Sequence, residues 1–312
     1  MPQTSARAPA NADLPARTSP WMSPWRLAVM AEGRAGWLAA ALIAIGALIR
    51  LGLILAGWPA TDSDEGTMGL MALHINAGLE HPLFFDGQSY MGTIQAYLGA
   101  LLFRTFGASV VSLRLGLLLL FILYLVVMWT LLKLLYGQGF ALVGLLLLAL
   151  GGSDLLKPQL LALGGYPETL LFAALALLLA LRLTESHPQP LSREERGLGG
   201  EVPRLLLYGA LGLTMGLAWW SDQLVFPYLV VAALVVGVFC RHELRWRPAG
   251  ALLAGLVIGV LPQLIFLTQP HLEGPSAIAA FEWQGPSTIL RFFTQFGAHL
   301  FGELLVALPN IT

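Results

Sequence analysis

Charge is scarce in this chain. Asp, Glu, Lys and Arg make up 11% of its 312 residues, less than half the share in an ordinary soluble domain. The 18 acidic and 17 basic residues nearly cancel, so the net charge of −1 points to no oppositely charged partner, nucleic acid included. Cysteine is scarcer still. The single Cys240 excludes a disulfide within the chain and any cysteine-based metal site. His74 and His81 have no companion at metal-ligand spacing, which argues against a zinc site. A glycine-rich phosphate loop ahead of a helix is also missing, which argues against a nucleotide-fuelled pump.

What is abundant is apolar, at 57% of residues. Runs near the ~20 residues that cross a bilayer core cover Trp37–Gly57, Val110–Leu135, Phe140–Leu156, Pro167–Leu183, Leu205–Trp220, Leu224–Cys240 and Ala249–Leu267. Some are short enough to need tilt or local thinning. The expected fold is all-α and polytopic, because lipid leaves no partner for the backbone groups of an open sheet edge. Residues 1–36 are rich in Pro, Ala and Ser with scattered Arg, and they read as a disordered cytoplasmic tail rather than a cleaved signal peptide. Residues 37–268 form the membrane core, with a first outer loop at 58–109 and a polar cytoplasmic loop at 184–204. Residues 269–312 form an outer segment. In it, Arg291, Gln295, His299 and Glu303 recur every four residues between apolar positions, the pattern of an amphipathic helix.

Met91–Ala108 decides the topology. If it spans, the basic clusters Arg193–Arg204 and Arg241–Arg247 are exported, against the positive-inside rule. If it lies at the interface, seven spans remain and most Lys and Arg face the cytoplasm. Asp62, Asp64, Glu65, Glu80, Asp86, Asp154, Glu168 and Asp222 then gather at the outer face, although acidic residues had no part in choosing the orientation. Gly66–Leu79 carries apolar residues at helical spacing and is too short to span, so it reads as a surface helix whose positive N-terminal end meets the acids. A simple helix cap is the competing reading for an acid at that position.

The order of features has a precedent. A first span is followed by Thr61-Asp62-Ser63-Asp64-Glu65-Gly66 and a surface helix. Then come Phe84-Phe85-Asp86-Gly87-Gln88-Ser89-Tyr90-Met91-Gly92, Phe106-Gly107-Ala108-Ser109 and Ser112-Leu113-Arg114-Leu115, with weaker echoes at Gly164-Gly165-Tyr166-Pro167-Glu168 and Gly216-Leu217-Ala218-Trp219-Trp220-Ser221-Asp222. This order resembles the membrane glycosyltransferases of the GT-C fold, most closely the family 39 type, to which protein O-mannosyltransferases and the lipid A aminoarabinose transferase are related. It runs from about Trp37 to Leu267, and the C-terminus looks truncated against the family pattern.

The resemblance implies a GT-C-like bundle of about seven spans in the cell membrane, with its N-terminus cytoplasmic and its active site on the outer, cell-envelope side. It also implies inverting transfer of a hexosyl or pentosyl group from a polyprenyl-phosphate donor to a lipid, glycan or protein acceptor. A divalent metal is compatible with it, and no other cofactor is called for. Asp64 is the candidate base, with Asp62 and Glu65 as acceptor-binding, orienting or structural neighbours. Arg114 is placed for the donor phosphate, with snorkelling to headgroups as its alternative, and Arg50, inside the first span, is a lesser candidate that either snorkels outward or faces the bundle. Tyr90, Glu168 and Asp222 complete the candidate substrate contacts, the last two competing with plain helix-start and cap roles. A carrier is the rival function, but it would show repeated halves and midplane charges, and neither is visible. An inactive fragment is the other rival.

Overall fold

The computed structural model describes residues 24–88, 90–185 and 201–268, with side chains for 33–88, 90–184 and 204–268. Nine helices and a short 3-10 turn follow one another, and no strand longer than an isolated bridge occurs among the described residues. The predicted C-terminal amphipathic helix and residues 1–23 of the tail lie outside them.

Helix α1 (Pro24–Leu55) starts inside the stretch that reads from sequence as tail. It is followed by two helices too short to span, α2 (Ser63–Ala77) and α3 (Ile94–Phe106), whose 15 and 13 residues correspond to about 23 and 20 Å. Each ends where a glycine takes positive φ, at Gly78 (69°) and Gly107 (79°). Met91–Ala108 is therefore a loop entering a short helix, and it does not cross.

Helix α4 (Val110–Leu150) opens on Ser109, whose Oγ accepts the Ser112 N–H at 3.1 Å. At Gly137 (φ 80°, ψ 175°) the chain leaves helical geometry, and there it doubles back. A Cβ on Gly144 would stand 2.6 Å from Leu132 Cδ1, whereas the same two residues in a straight helix would be separated by about 18 Å along the axis. The two legs, 110–136 and 138–150, thus pack side by side. The second is shorter than the run Phe140–Leu156 suggested, because Gly151 (φ 59°) stops it and Ser153–Leu160 forms its own helix, α5.

Helices α6 (Tyr166–Glu185), α7 (Glu201–Ser221), α8 (Phe226–Phe239) and α9 (Trp246–Thr268) complete the bundle, with the 3-10 turn Gln223–Val225 between α7 and α8. Gly33–Leu55, Val110–Leu150, Tyr166–Thr184 and Trp246–Thr268 are long and apolar enough to cross a membrane, and Gln223–Phe239 is a shorter apolar stretch. Large apolar side chains remain exposed along them, among them Trp37, Leu48, Leu234, Val238, Ile258 and Leu267. Only a lipid environment makes that arrangement stable.

Three apolar clusters hold the helices together. One joins α1, α4, α5 and α6 around Ile54, Phe121, Leu125 and Leu160. The second packs α2 and α3 on the start of α4 through Met68, Met71, Phe103 and Leu117. The third joins α6, α7 and α8 around Tyr208, Leu211 and Val236. Helix α9 adheres to α7 by backbone proximity: a Cβ on Gly212 would lie 1.9 Å from Leu252 O, and one on Gly255 2.1 Å from Gly209 O. Small residues four apart are what allow that approach.

Candidate functional site

All elements that carry the acids meet at one end of the bundle. The loop after α2 touches the end of α7, where Trp220 Nε1 donates to Leu83 O at 2.8 Å and Gly92 N donates to Ser221 O at 2.8 Å. Phe84 reaches the end of α9 and packs on Phe266 with ring centroids 4.5 Å apart. The bend at Gly137, which follows Lys133, and the Arg182, Arg204 and Arg241–Arg247 region belong to the opposite end, where Arg204 forms a bidentate pair with Glu243.

The three leading acids are not equivalent. Asp62 is the N-cap of α2, and its Oδ1 accepts the Glu65 N–H at 3.0 Å. Glu65 points inward, 1% exposed, and takes two hydrogen bonds from Arg114: Nε to Oε1 at 2.7 Å and Nη2 to Oε2 at 2.6 Å. Arg114, also 1% exposed, adds a bond from Nη2 to Pro59 O at 2.9 Å, and Ala162 N donates to Glu65 Oε1 at 3.4 Å. Asp64, between them, is exposed, and its carboxylate makes no hydrogen bond among the described residues. It is the member of the cluster left exposed, in the first turn of α2.

Both arginines face the bundle, one of the two directions that the sequence left open for Arg50. Arg114 is turned inward onto Glu65, so its charge is paired and its Nε and Nη2 donors are occupied, rather than being turned out to headgroups. The reason is its register: Leu113, Arg114 and Leu117 lie on the face of α4 covered by α2 and α3. Arg50 does not snorkel either. It is fully buried, with Nη1 donating to Ala149 O at 2.7 Å and Nε and Nη2 donating to Gln159 Oε1 at 3.1 and 2.7 Å, while its guanidinium lies 3.5 Å from the Phe121 ring centre. It ties α1 to the end of α4 and to α5 through neutral acceptors.

Glu168 is the acid that sequence ranked lower and the fold sets apart. Fully buried in the first turn of α6, it accepts from Gln95 Nε2 at 2.8 Å through Oε2, and its Oε1 has no partner. Gln95 Oε1 accepts the Gly164 N–H at 3.3 Å, so one amide clamps α3 to the turn before α6. Asp222 is 3% exposed, and its Oδ1 caps the 3-10 turn by accepting the Leu224 N–H at 2.8 Å. Burial pushes its carboxyl above the usual carboxylate range, partly offset by that bond. It packs on Gly165 so closely that a Cβ there would stand 2.3 Å from Asp222 Oδ2; Gly165 also has φ of 71°, so the position admits only glycine. Tyr90 is half-buried against the α2–α3 cluster.

The result is a seam of two polar sets, Asp64 with Glu65–Arg114 and Gln95 with Glu168 and Asp222, separated by the buried apolar contact of Met68 and Met91 beside Gly164. Gln95 was visible in the sequence only as a polar interruption of an apolar run. An amide in such a run usually has a buried partner, and here the partner is Glu168. No group of three or more His, Cys, Asp or Glu side chains close enough to hold a metal occurs among the described residues.

Fold and site together define a polytopic all-α membrane protein with Asp62, Asp64, Glu65, Glu168 and Asp222 collected at one end of the bundle. Two crystal structures resemble this chain, both of the oligosaccharyltransferase of Archaeoglobus fulgidus, one in complex with zinc and sulfate and one in the apo form. Each has 16% sequence identity and a TM-score of 0.45. The matches cover 85% and 87% of this chain but only 40% and 38% of the archaeal one, so the chain spans well under half the length of that protein. No protein-family model matches the chain. No curated protein matches it either.

Proposed function

We propose that this protein is a membrane glycosyltransferase of the GT-C type, transferring a sugar from a polyprenyl-phosphate donor to an acceptor on the outer side of the membrane. The observation that carries the reading is the division of labour at the start of α2. Asp62 caps and Glu65 is paired, while Asp64 stands exposed and unbonded between them. The reading is supported further by the order of motifs from Thr61 to Arg114, which resembles the family 39 type.

In this reading Asp64 accepts the proton of the acceptor hydroxyl as its oxygen attacks the anomeric carbon. The bond from that carbon to the phosphate oxygen breaks, and polyprenyl phosphate leaves with the electron pair, so the anomeric centre inverts. Glu168, with one oxygen held by Gln95 and the other unbonded, orients an acceptor hydroxyl from the wall of the seam. Glu65–Arg114 holds the start of α2 against α4, and so positions Asp64. The positive-inside rule supports placing the acidic end outside, since Lys133, Arg182, Arg204 and Arg241–Arg247 share the other end.

The test is transfer of a radiolabelled sugar from synthetic polyprenyl-phosphate sugars to a membrane fraction by the purified chain in nanodiscs. Asp64→Asn should lower transfer by at least about a hundredfold at unchanged folding. Full activity in Asp64→Asn, Asp62→Asn and Glu65→Gln alike would sink the assignment.

A further inference from the structure

On the other face of α6 from Glu168 lies a cavity of about 340 Å³ that the transfer chemistry leaves unused. Glu168 is two residues from Tyr166, roughly 200° around the helix, and it faces Gln95 on α3. The cavity lining is mostly apolar, with Leu155 and Leu170 among it and Leu224 of the 3-10 turn at its edge, and Asp154 and Gln159 of α5, Tyr166 and Thr169 of α6 and Tyr228 of α8 supply polar groups. Its size is that of a small-molecule site.

Two buried polar groups give it chemical direction. Thr169 is 8% exposed, and its Oγ1 has no hydrogen-bond partner. A helical threonine can bond back to the carbonyl four residues earlier, as Thr67 and Thr130 do, but Thr169 does not. Gln159 is also 8% exposed, and Arg50 directs both of its contacts to Oε1. That fixes the amide orientation and leaves the Gln159 NH2 without an acceptor among the described residues. The lining therefore offers an amide donor, a carboxylate acceptor at Asp154, and hydroxyls on Thr169, Tyr166 and Tyr228 that do either.

We infer that this cavity is a binding site for an uncharged sugar, separate from the seam that holds Asp64. Sugar hydroxyls both donate and accept, which matches a mixed set of this kind, and the tyrosine rings offer apolar faces to the sugar carbons. A phosphate does not match. No cation lines the cavity, the Arg50 guanidinium is buried behind Gln159, and Asp154 would repel an anion. A bare hydrocarbon chain would leave Thr169 Oγ1 and the Gln159 amide unpaired. The mouth is flanked by the exposed side chains of Leu224, Tyr166 and Tyr228, so a sugar carried on a lipid can enter from the bilayer side. The inference stands on the cavity alone and does not depend on the transferase reading.

The experiment uses the full chain in lipid nanodiscs, titrated with a dialkyl glucoside in the bilayer, with methyl glucoside in water, and with a dialkyl phosphate as comparator. Binding is followed by saturation-transfer NMR. The glucoside should bind saturably. Thr169→Val and Asp154→Asn should each weaken it about fivefold, the scale of one hydrogen bond. Thr169→Val keeps the shape and removes an unpaired hydroxyl, so the thermal stability of the variant should equal or exceed wild type. Asp64→Asn should leave binding unchanged. Tighter binding of the dialkyl form identifies a glycolipid as the source, and equal binding of the methyl form identifies a free sugar. Absence of saturable binding would overturn the inference. So would displacement of the glucoside by the dialkyl phosphate, or weakening by Asp64→Asn but not by Thr169→Val and Asp154→Asn.

Discussion

The Glu65–Arg114 pair can be made to report whether it is architecture or substrate machinery. Arg114→Met strips Glu65 of two hydrogen bonds and leaves it with the single 3.4 Å contact from Ala162 N, at 1% exposure. A buried charge that loses its partner costs about 3–5 kcal/mol, which is roughly two to three and a half powers of ten in the folded-to-unfolded ratio. Glu65→Leu strands the Arg114 guanidinium with only Pro59 O and should cost a similar amount. The double variant Glu65→Leu/Arg114→Met has no charge left to strand. It should be no less stable than either single, although Pro59 O and Ala162 N lose their partners. The expected coupling energy is therefore at least about 3 kcal/mol, measured by tryptophan fluorescence during SDS unfolding in mixed micelles. Additive losses would refute the structural account. Sugar transfer supplies the second readout: an architectural pair predicts that the double variant retains transfer in proportion to folded protein, and a dead but stable double variant would return Arg114 to the donor phosphate.

Other consequences can be checked singly. Gly255→Ala should destabilise by about 1–3 kcal/mol or more, because its new Cβ meets the Gly209 carbonyl at 2.1 Å and backbone cannot yield as a side chain does. Gly237→Ala on α8 has nothing within 4 Å and should be neutral or stabilising by up to about 1 kcal/mol; the reverse order in thermal melts would refute the α7–α9 packing. Asp222 has a folded-state carboxyl raised by burial, so stability should be highest below the ordinary carboxylate range and fall as pH climbs from there through the raised value. Asp222→Asn keeps an acceptor for the Leu224 N–H and should flatten that fall; an unchanged pH profile would show that Asp222 is not the group responsible. For sidedness, Leu79→Cys in a Cys240→Ser background should react with an impermeant thiol reagent added outside. Leu79 is 72% exposed, whereas the more obvious Gly87 has φ of 81° and would be strained by a side chain. Labelling only after permeabilisation would invert the topology.

Much of the fold was legible because lipid permits few solutions. Apolar runs of spanning length had to be helices, and the short amphipathic stretches after the first carboxylates could not cross. The helix ends were less legible. Leu150 and Ser153 belong to different helices because Gly151 takes positive φ, and no apolar count registers a backbone angle. The acid cluster was visible as a cluster but not as a division of roles, since Glu65 finds its partner 49 residues away. Arg114 shows the limit most clearly. At a membrane edge, a basic residue facing lipid headgroups and one facing the bundle have the same sequence neighbourhood. What separates them is a packing register, in which Leu113 and Leu117 are covered and Arg114 is carried inward with them. Burial in turn required a carboxylate, and Glu65 supplies it from the first turn of α2. The same contact that removes Arg114 from the surface leaves Asp64, one residue earlier, projecting from a fixed helix end. The base role proposed for Asp64 rests on that exposed, unbonded carboxylate, which arises here from the pairing of its neighbour.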